Sequence, residues 1–348
     1  MKKIIEWNIA LNILRKIKRK LNLVKKFYED LIWVLCRRLR FKIASIVAIL
    51  PLDYSVQNSI AHQLGRILTP FRRLHPLLLS SFQTALGVNL AEAKIILNQW
   101  EASKGLSTLN IFRYSQIDKE WSKRYVEIDD TSVLEQIAKE GGLVLSYHTF
   151  HQDILPIILS SIGIRLIAVG ANPVEQHLHY RHVTRYKHLR HKAIDEKLKL
   201  SGGNIIYTYD KRNLIKSVKT TFANGDVVFL ACDTHHIDSK FPPLNLLGLP
   251  IRINAGGMLR LAKKAKVPVY FSLLYPNLTG GYNLHLKAIA PLTNIEQDMQ
   301  GYFNFLETHL KNVPWAWEGW WWYPSMLDWA LFPAHPTIKM IDMIRLRS

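Results

Sequence analysis

Short apolar segments alternate with helical segments along the second half of the sequence, and this alternation limits the fold more than any other feature. Apolar runs typical of buried strands occupy 143–147, 164–169, 205–209, 227–232, 267–275 and 282–289. Segments with helical spacing lie between them at 153–161, 174–192, 214–223 and 255–266. We therefore predict an α/β fold, with a mostly parallel central sheet flanked by helices and an antiparallel last pair of strands.

The rest of the chain divides by composition. Residues 53–125 have apolar positions at helical spacing and predict a helical part, 126–312 form the sheet core, and 313–348 are rich in aromatic residues. We expect 53–348 to form a single α/β domain. A further helix is predicted from a capping box at Ser132 and Glu135, and it ends before Gly141.

The charge balance indicates an anionic partner. Lys and Arg number 46 against 27 for Asp and Glu, a net charge of +19. The most apolar N-terminal run, 43–52, is too short to span a bilayer, which needs roughly 20 apolar residues. We interpret 1–52 as a basic, membrane-associating segment in which 23–52 forms an amphipathic helix on an anionic membrane surface. An ordinary exposed helix on the domain is the alternative.

The N-terminus and the cysteines bear on the compartment. Basic residues recur through the first 42 positions and no small-residue cleavage site follows, which argues against a signal peptide. Two cysteines, Cys36 and Cys232, cannot form a disulfide framework and favour a reducing compartment.

A histidine and an aspartate follow the strand predicted at 143–147. His148 would leave the strand and Asp153 would begin the next helix, at the sheet edge where α/β proteins bind ligands. A turn of this length can fold the carboxylate back onto the imidazole. Asp153 would then fix the tautomer while His148 takes a proton from an alcohol or amine.

Several segments together resemble a known family. The His148–Asp153 stretch is similar to the His-x4-Asp/Glu motif of the lysophospholipid and glycerolipid acyltransferase superfamily. Within it, the chain most resembles the bacterial lipid A biosynthesis (lauroyl/myristoyl) acyltransferase family, from about residue 43 to about residue 315. The segments that carry this resemblance, in the expected order, are 64–66 (Leu-Gly-Arg), 225–233 (ending at Asp233), 247–250 (Leu-Gly-Leu-Pro), 256–262 and 266–269.

The resemblance implies an acyltransferase with His148 as general base and Asp153 as the orienting residue. It implies an acyl-carrier protein or acyl-CoA as donor, a hydroxyl or amine of a lipid-like acceptor, no metal and no cofactor. It also implies a peripheral or monotopic enzyme on the cytoplasmic face of the bacterial inner membrane. The chain departs from the family at 315–324, where aromatic residues and Glu318 replace two positive charges. The acceptor is therefore left open among a lipid, a glycolipid and a secondary metabolite.

Three further residues are candidates for substrate binding. Arg181 and Arg185 lie on one face of the helix predicted at 174–192, where guanidinium groups suit phosphate or an acidic carrier protein. A solvated basic face is an equally good interpretation. Asp233 ends the strand at 227–232, and it either binds the acceptor, shapes the site or caps the next helix.

Two other classes of function fit parts of the sequence. A metal-dependent hydrolase would use His151 together with His148 and Asp153, with His235 and His236 after Asp233 as further candidate ligands; the alternative is that His151 is a polar residue of the turn. A nucleic-acid-binding protein would account for the charge and the aromatic residues, but the sequence contains no recognisable binding motif, so no nucleic-acid partner is expected. The aromatic cluster at 315–323, with Trp329 and Phe332, suits a core, an acyl pocket or a membrane interface.

Overall fold

A computed structural model describes residues 35–36, 38–67, 75–170, 184–208, 211–233, 242–252, 256–277, 280–289, 292 and 294–327, with backbone alone at 184–188, 211 and 325. The helices are α1 (38–49), α2 (Tyr54–Ile67), α3 (His75–Leu86), α4 (Leu90–Asn110), α5 (Lys119–Tyr125), α6 (Thr131–Glu140), α7 (Ile154–Ser161), α8 (Thr184–Leu200), α9 (Lys211–Ala223), α10 (Gly256–Ala265), α11 (Ile295–Leu310) and α12 (Tyr323–Met326). The strands are β1 (Val126–Ile128), β2 (Gly142–Ser146), β3 (Leu166–Gly170), β4 (Asn204–Tyr207), β5 (Val227–Ala231), β6 (Leu244–Leu246), β7 (Leu249–Ile251), β8 (Val269–Pro276) and β9 (Tyr282–Ile289).

Seven of these strands form one sheet in the order β1-β9-β8-β2-β5-β3-β4. Every pairing is parallel except that of β8 with β9, which is antiparallel. Strand β2 is central and lies between β8 and β5, and Ser146 at its end is in register with Ala231 at the end of β5. The predicted α/β class and the antiparallel last pair are both confirmed.

Both faces of the sheet are buried. Alternate residues of β2 point to opposite sides, so that Leu143 and Leu145 belong to one core with α4, α9, α10 and α11, and Val144 belongs to a second core with α6, α7 and α8. Burial on both faces is the reason that the parallel strands are continuous apolar runs in the sequence.

The helices before the sheet pack unusually closely. Gly65 of α2 lies against the backbone of α4 at Glu101, and Gly105 of α4 lies against the backbone of α2 at Ala61. A β-carbon at either glycine would collide with the opposing main chain, so the two glycines permit this crossing. Because α4 also contacts the turn after β2, the crossing ties the helical part to the carboxyl edge of the sheet.

Helix α1 has apolar residues on two sides. Ala44, Val47 and Ala48 are buried against α2 and α4. The exposed side carries large apolar residues that continue into the following turn, and we call this the N-terminal apolar face: Leu35, Leu39, Ile46, Ile49, Leu50, Leu52 and Val56. Among the described residues, no helix is long and apolar enough to cross a membrane.

Three elements of the structure differ from the sequence predictions. The N-cap of helix α6 is Asp130, two residues before the predicted N-cap Ser132, because Asp130 accepts hydrogen bonds from the backbone of Ser132 and Val133. Helix α8 continues to Leu200, since nothing interrupts it before the glycines at 202 and 203. The segment 247–250 lies in a small hairpin of β6 and β7, which the sequence analysis did not predict.

Candidate active site

The imidazole of His148 is paired with a buried carboxylate. Its Nδ1 lies 2.6 Å from Oδ1 of Asp233, whose side chain is fully buried, while 24% of the His148 side chain is exposed. The backbone N–H of His148 also donates to Asp233, at 3.0 Å to Oδ1 and 2.9 Å to Oδ2. One carboxylate therefore fixes both the ring and the main chain of His148.

This pairing follows from the order of the strands. Ser146 and Ala231 are in register across the parallel pair of β2 and β5. His148 and Asp233 each lie two residues beyond the end of their strand, and they therefore meet at the carboxyl edge of the sheet. The two residues are 85 positions apart in sequence, and the neighbouring strands bring them into contact.

Two tryptophans from the C-terminal part hold Asp233. The indole N–H of Trp317 donates to Oδ2 at 2.6 Å, and that of Trp322 donates to the backbone oxygen of Asp233 at 2.8 Å. The ring of Trp322 also meets the His148 ring edge to face, with centroids 5.3 Å apart. These two buried donors fix the orientation of Asp233.

Competing effects act on His148. Burial lowers its pKa, but the charge of Asp233 and the hydrogen bond to it raise the pKa more, with a smaller rise from Glu318, so the net direction is above the ordinary value. Since an ionised carboxylate can only accept hydrogen bonds, the proton of the neutral ring is assigned to Nδ1. The Nε2 atom then carries the lone pair, and no described residue forms a hydrogen bond with it.

Asp153 has a partner other than the predicted one. Its Oδ2 forms an ion pair with Nε of Arg190 on α8 and lies 3.4 Å from the hydroxyl of Tyr114. No hydrogen bond between His148 and Asp153 occurs among the described residues. The expected contact of Asp153 with the imidazole is therefore not formed, because Nδ1 of His148 is already paired with Asp233.

The turn between β2 and α7 is anchored at His151. This side chain is buried, with Nε2 3.0 Å from Oγ of Ser103 and Nδ1 3.1 Å from the side-chain amide of Asn110, both on α4. Burial lowers the pKa of His151 to about 3, so the ring is neutral. His151 is therefore a structural anchor with both nitrogens engaged, in agreement with its interpretation as a polar residue of the turn.

The C-terminal segment closes over the same turn. The backbone N–H of Glu318 donates to the carbonyl of His148 at 2.7 Å, and Thr149 forms an antiparallel bridge with Trp317. Trp100 of α4 donates to the carbonyl of Trp317 at 3.0 Å and packs on Phe150. Of the aromatic cluster, Trp317, Trp320, Trp322 and Tyr323 are core residues, whereas Trp321 is partly exposed.

The remaining candidates are placed as follows. Arg181, His235, His236, Trp329 and Phe332 lie outside the described residues, and for Arg185 only the backbone is described. The described residues contain no group of three or more His, Cys, Asp or Glu side chains that could hold a metal ion. Cys232 is buried, and burial raises the pKa of its thiol, which makes the thiol a poor nucleophile.

Sequence reasoning missed Arg190 and the roles of Trp317 and Trp322. The tryptophans carry a compositional signal, since ten occur in the chain and five of them lie within 315–322. Nothing in the sequence joins a tryptophan to Asp233, however, because that contact depends on the folded C-terminal segment. The site as built can accept a proton at Nε2 of His148 and can hold negative charge near Arg190.

Comparisons with known proteins add little to this geometry. No family model and no curated protein matches the sequence. Among solved structures, the chain is similar to the 1-acyl-sn-glycerophosphate acyltransferase PlsC from Thermotoga maritima, with 13% identity and a TM-score of 0.33 over 76% of this chain and 100% of that one. A TM-score this low argues neither for a shared activity nor for shared site residues, so the site is interpreted from its own geometry.

Proposed function

We propose that this protein is an acyltransferase that moves a fatty acyl group from a thioester to a hydroxyl or amine of a lipid-like acceptor. The observation that carries the proposal is the pairing of a partly exposed His148 with the fully buried Asp233 at 2.6 Å. A histidine oriented in this way is a general base, because Asp233 fixes the ring and stabilises the imidazolium that forms. The sequence motifs around His148 and Asp233 support the acyl-transfer class.

The reaction needs one base and no covalent intermediate. Nε2 of His148 accepts the proton as the acceptor oxygen or nitrogen attacks the thioester carbonyl, and negative charge passes to the carbonyl oxygen. When the tetrahedral intermediate collapses, the carbon–sulfur bond breaks and the thiolate leaves with the proton of the imidazolium. Direct attack suits this site because the Cys232 thiol is buried with a raised pKa and is a poor nucleophile.

The donor and the membrane belong to the same proposal. The net charge of +19 favours an acidic donor, either acyl-carrier protein or acyl-CoA, and an anionic membrane surface. The N-terminal apolar face offers side chains that enter a lipid interface, with Arg38 and Lys42 exposed beside them. A peripheral position on the cytoplasmic face of a membrane is therefore proposed.

Transfer of a labelled acyl chain tests the proposal. Purified protein would be incubated with radiolabelled acyl-carrier protein or acyl-CoA and a total lipid extract, and the products identified by mass spectrometry. We expect a new acylated lipid with wild type and a loss of about 10²–10⁴-fold with His148→Ala. A folded His148→Ala protein with wild-type turnover would remove His148 from the reaction, and absence of any acylated product with wild type would remove the activity.

A further inference from the structure

Arg190 is a cation held against the turn that carries His148. It lies on α8, its side chain is 21% exposed, and its Nε pairs with Oδ2 of Asp153. Asp153 in turn is the residue before α7 and five residues after His148. The guanidinium is therefore attached to the same turn that carries the candidate base.

The charge of Arg190 acts on the imidazole of His148. It opposes protonation of His148, against the stronger effect of Asp233, and it also lowers the pKa of the buried His151. A guanidinium carries five N–H donors, and the contact with Asp153 uses Nε. The two terminal nitrogens supply the other donors, so the group can receive a second anion while Asp153 keeps it in place.

Asp153, the carboxylate of the His-x4-Asp stretch, thus has a role that does not require contact with His148. Asp153 does not make a side-chain hydrogen bond to the start of α7, although it stands at the N-cap position. Its described contacts are with Arg190 and with the hydroxyl of Tyr114. A carboxylate placed in this way orients a guanidinium and partly neutralises it, which lowers the cost of holding the cation in a half-buried site.

We propose that Arg190 binds the negative charge that develops on the thioester carbonyl oxygen, and that Asp153 is the positioning residue for Arg190. This inference rests on the proposed acyl transfer and assigns a second group to the same step. As the acceptor attacks, His148 takes its proton and Arg190 stabilises the oxyanion; on collapse the oxyanion re-forms the carbonyl and the thiolate leaves. Preorganised donors at a developing oxyanion contribute about 10²–10³ in rate.

The kinetic test compares Arg190→Gln, Arg190→Lys, Asp153→Asn and the double variant Asp153→Asn/Arg190→Gln, using saturating and limiting acyl-CoA. We expect Arg190→Gln to lower kcat by about 10²–10³-fold with little change in KM, and Arg190→Lys to retain more activity than Arg190→Gln. Because Asp153 acts through Arg190, the double variant should be no slower than Arg190→Gln alone.

Lys199→Gln is the matched control. Lys199 lies further along the same helix, its side chain is exposed, and it forms an ion pair of 2.6 Å with Asp195 instead of with a residue of the turn after β2. Its replacement also removes one positive charge from α8 and should leave kcat unchanged. A separate readout that needs no turnover is the NMR titration of His148, whose pKa should rise in Arg190→Gln and stay constant in Lys199→Gln.

The outcomes separate the inference from the proposed function. A higher KM with unchanged kcat in Arg190→Gln would mean that Arg190 binds a phosphate or other anion in the ground state, and would overturn its role at the oxyanion. Additive losses in the double variant would mean that Asp153 acts independently of Arg190. Full activity in Arg190→Gln alongside an inactive His148→Ala would refute the inference alone, whereas an inactive wild type would refute both.

Discussion

The indole nitrogen of Trp317 donates a hydrogen bond of 2.6 Å to Oδ2 of Asp233, on the opposite side of the carboxylate from the oxygen that contacts Nδ1 of His148. The C-terminal segment is therefore part of the site, because it supplies a donor to the residue that orients the base. The same segment accepts a hydrogen bond at the Trp317 carbonyl from Trp100, which links it to α4.

Trp317→Phe should weaken the site through Asp233. The change keeps an aromatic ring but leaves Oδ2 of a buried carboxylate without its indole donor, which costs about 1–3 kcal/mol of stability. We expect the acyl-transfer rate to fall by about tenfold or more because the carboxylate is less well fixed, and the His148 pKa to move in NMR titration. Denaturant unfolding measures the stability change.

Trp320→Phe is the control for this change. Trp320 is equally buried and also uses its indole N–H, but the acceptor is the carbonyl of Pro314, away from Asp233. It should lose stability without moving the His148 pKa. If both variants lower the rate equally, the effect reports packing of the aromatic cluster and the hydrogen bond to Asp233 has no special role.

Asp233→Asn should change the pH dependence of the reaction. Asp233 raises the pKa of His148 above the ordinary 6.5 against the opposing effect of burial, so wild-type activity should rise as pH passes through a value above 6.5. Without the carboxylate, burial is no longer outweighed and the pKa falls, which moves the rising limb to lower pH. The plateau rate should fall by about 10²–10⁴-fold, since the ring loses its orienting partner. A profile with an unchanged midpoint would contradict the pairing.

The same pair has a signature in folding. Because the pKa of His148 is raised in the folded protein, the stabilisation is fully present below pH 6.5 and is lost as pH rises through the folded-state pKa. Asp233→Asn should remove this dependence. Equilibrium unfolding of wild type and variant across pH 6 to 9 would measure the difference.

The sequence was sufficient for the residue types at this edge of the sheet but not for their pairing. His148 and Asp233 could both be identified as residues that follow buried strands. That they meet depends on β5 lying next to β2, and strand order is a long-range property that periodicity does not contain. Spacing along the chain favoured Asp153 because it is near in sequence, whereas the structure places its carboxylate against α8.

Other segments show where local signals suffice. The apolar strands were predictable because burial on both sheet faces leaves continuous apolar runs. The helix at 153–161 was predicted for the segment between two such runs. Gly65, noted in the sequence only as part of a family-like motif, is explained by the close crossing of α2 and α4. The hairpin of β6 and β7 was missed for two reasons. Its strands have only three residues each, and its turn places Leu247 at a φ of 56°, a conformation that a leucine in the sequence does not predict.

His151→Gln should change acid stability. The pKa of His151 is lowered to about 3 in the folded protein, so its contribution is present above pH 6.5 and is lost as the unfolded chain takes up a proton below that value. Each pH unit between 6.5 and 3 should cost wild type about 1.4 kcal/mol through this residue. The unfolding free energy of His151→Gln should start lower at pH 7 and fall less steeply towards pH 5. Equal slopes in the two proteins would contradict burial of a neutral His151.

Lys266→Gly should stabilise the fold without affecting the site. Lys266 is exposed and follows α10 with a φ of 56°. The backbone N–H of the next residue, Val267, donates to the carbonyl of Ala262 at 3.2 Å. This left-handed position at a helix end favours glycine, and the substitution should raise the free energy of unfolding by about 1 kcal/mol. Lys266→Ala keeps the β-carbon and should give no comparable gain. A gain from alanine as large as that from glycine would assign the effect to the lysine charge.

The N-terminal apolar face should be the part of the protein that enters a lipid interface. Two attractions act there. Basic residues near an anionic surface contribute about 1 kcal/mol each, and salt screens this attraction. Apolar side chains that enter the lipid interface add a second attraction, which salt does not weaken. High salt should therefore release only part of the protein from anionic vesicles, and detergent should release all of it. Deletion of residues 1–42 should weaken binding to anionic vesicles more than to neutral ones.

A matched pair of substitutions separates insertion from charge. Ile49 and Leu200 are both 81% exposed, but Ile49 lies on the N-terminal apolar face and Leu200 ends α8. Burying an aliphatic side chain contributes about 1.5–3 kcal/mol, so Ile49→Glu should weaken vesicle binding by about tenfold or more. Leu200→Glu adds the same negative charge and should weaken binding far less. If the two variants bind equally, general electrostatics accounts for the association and the apolar face has no part in it; if wild type stays in the supernatant with anionic vesicles at low salt, a soluble acceptor becomes the better proposal.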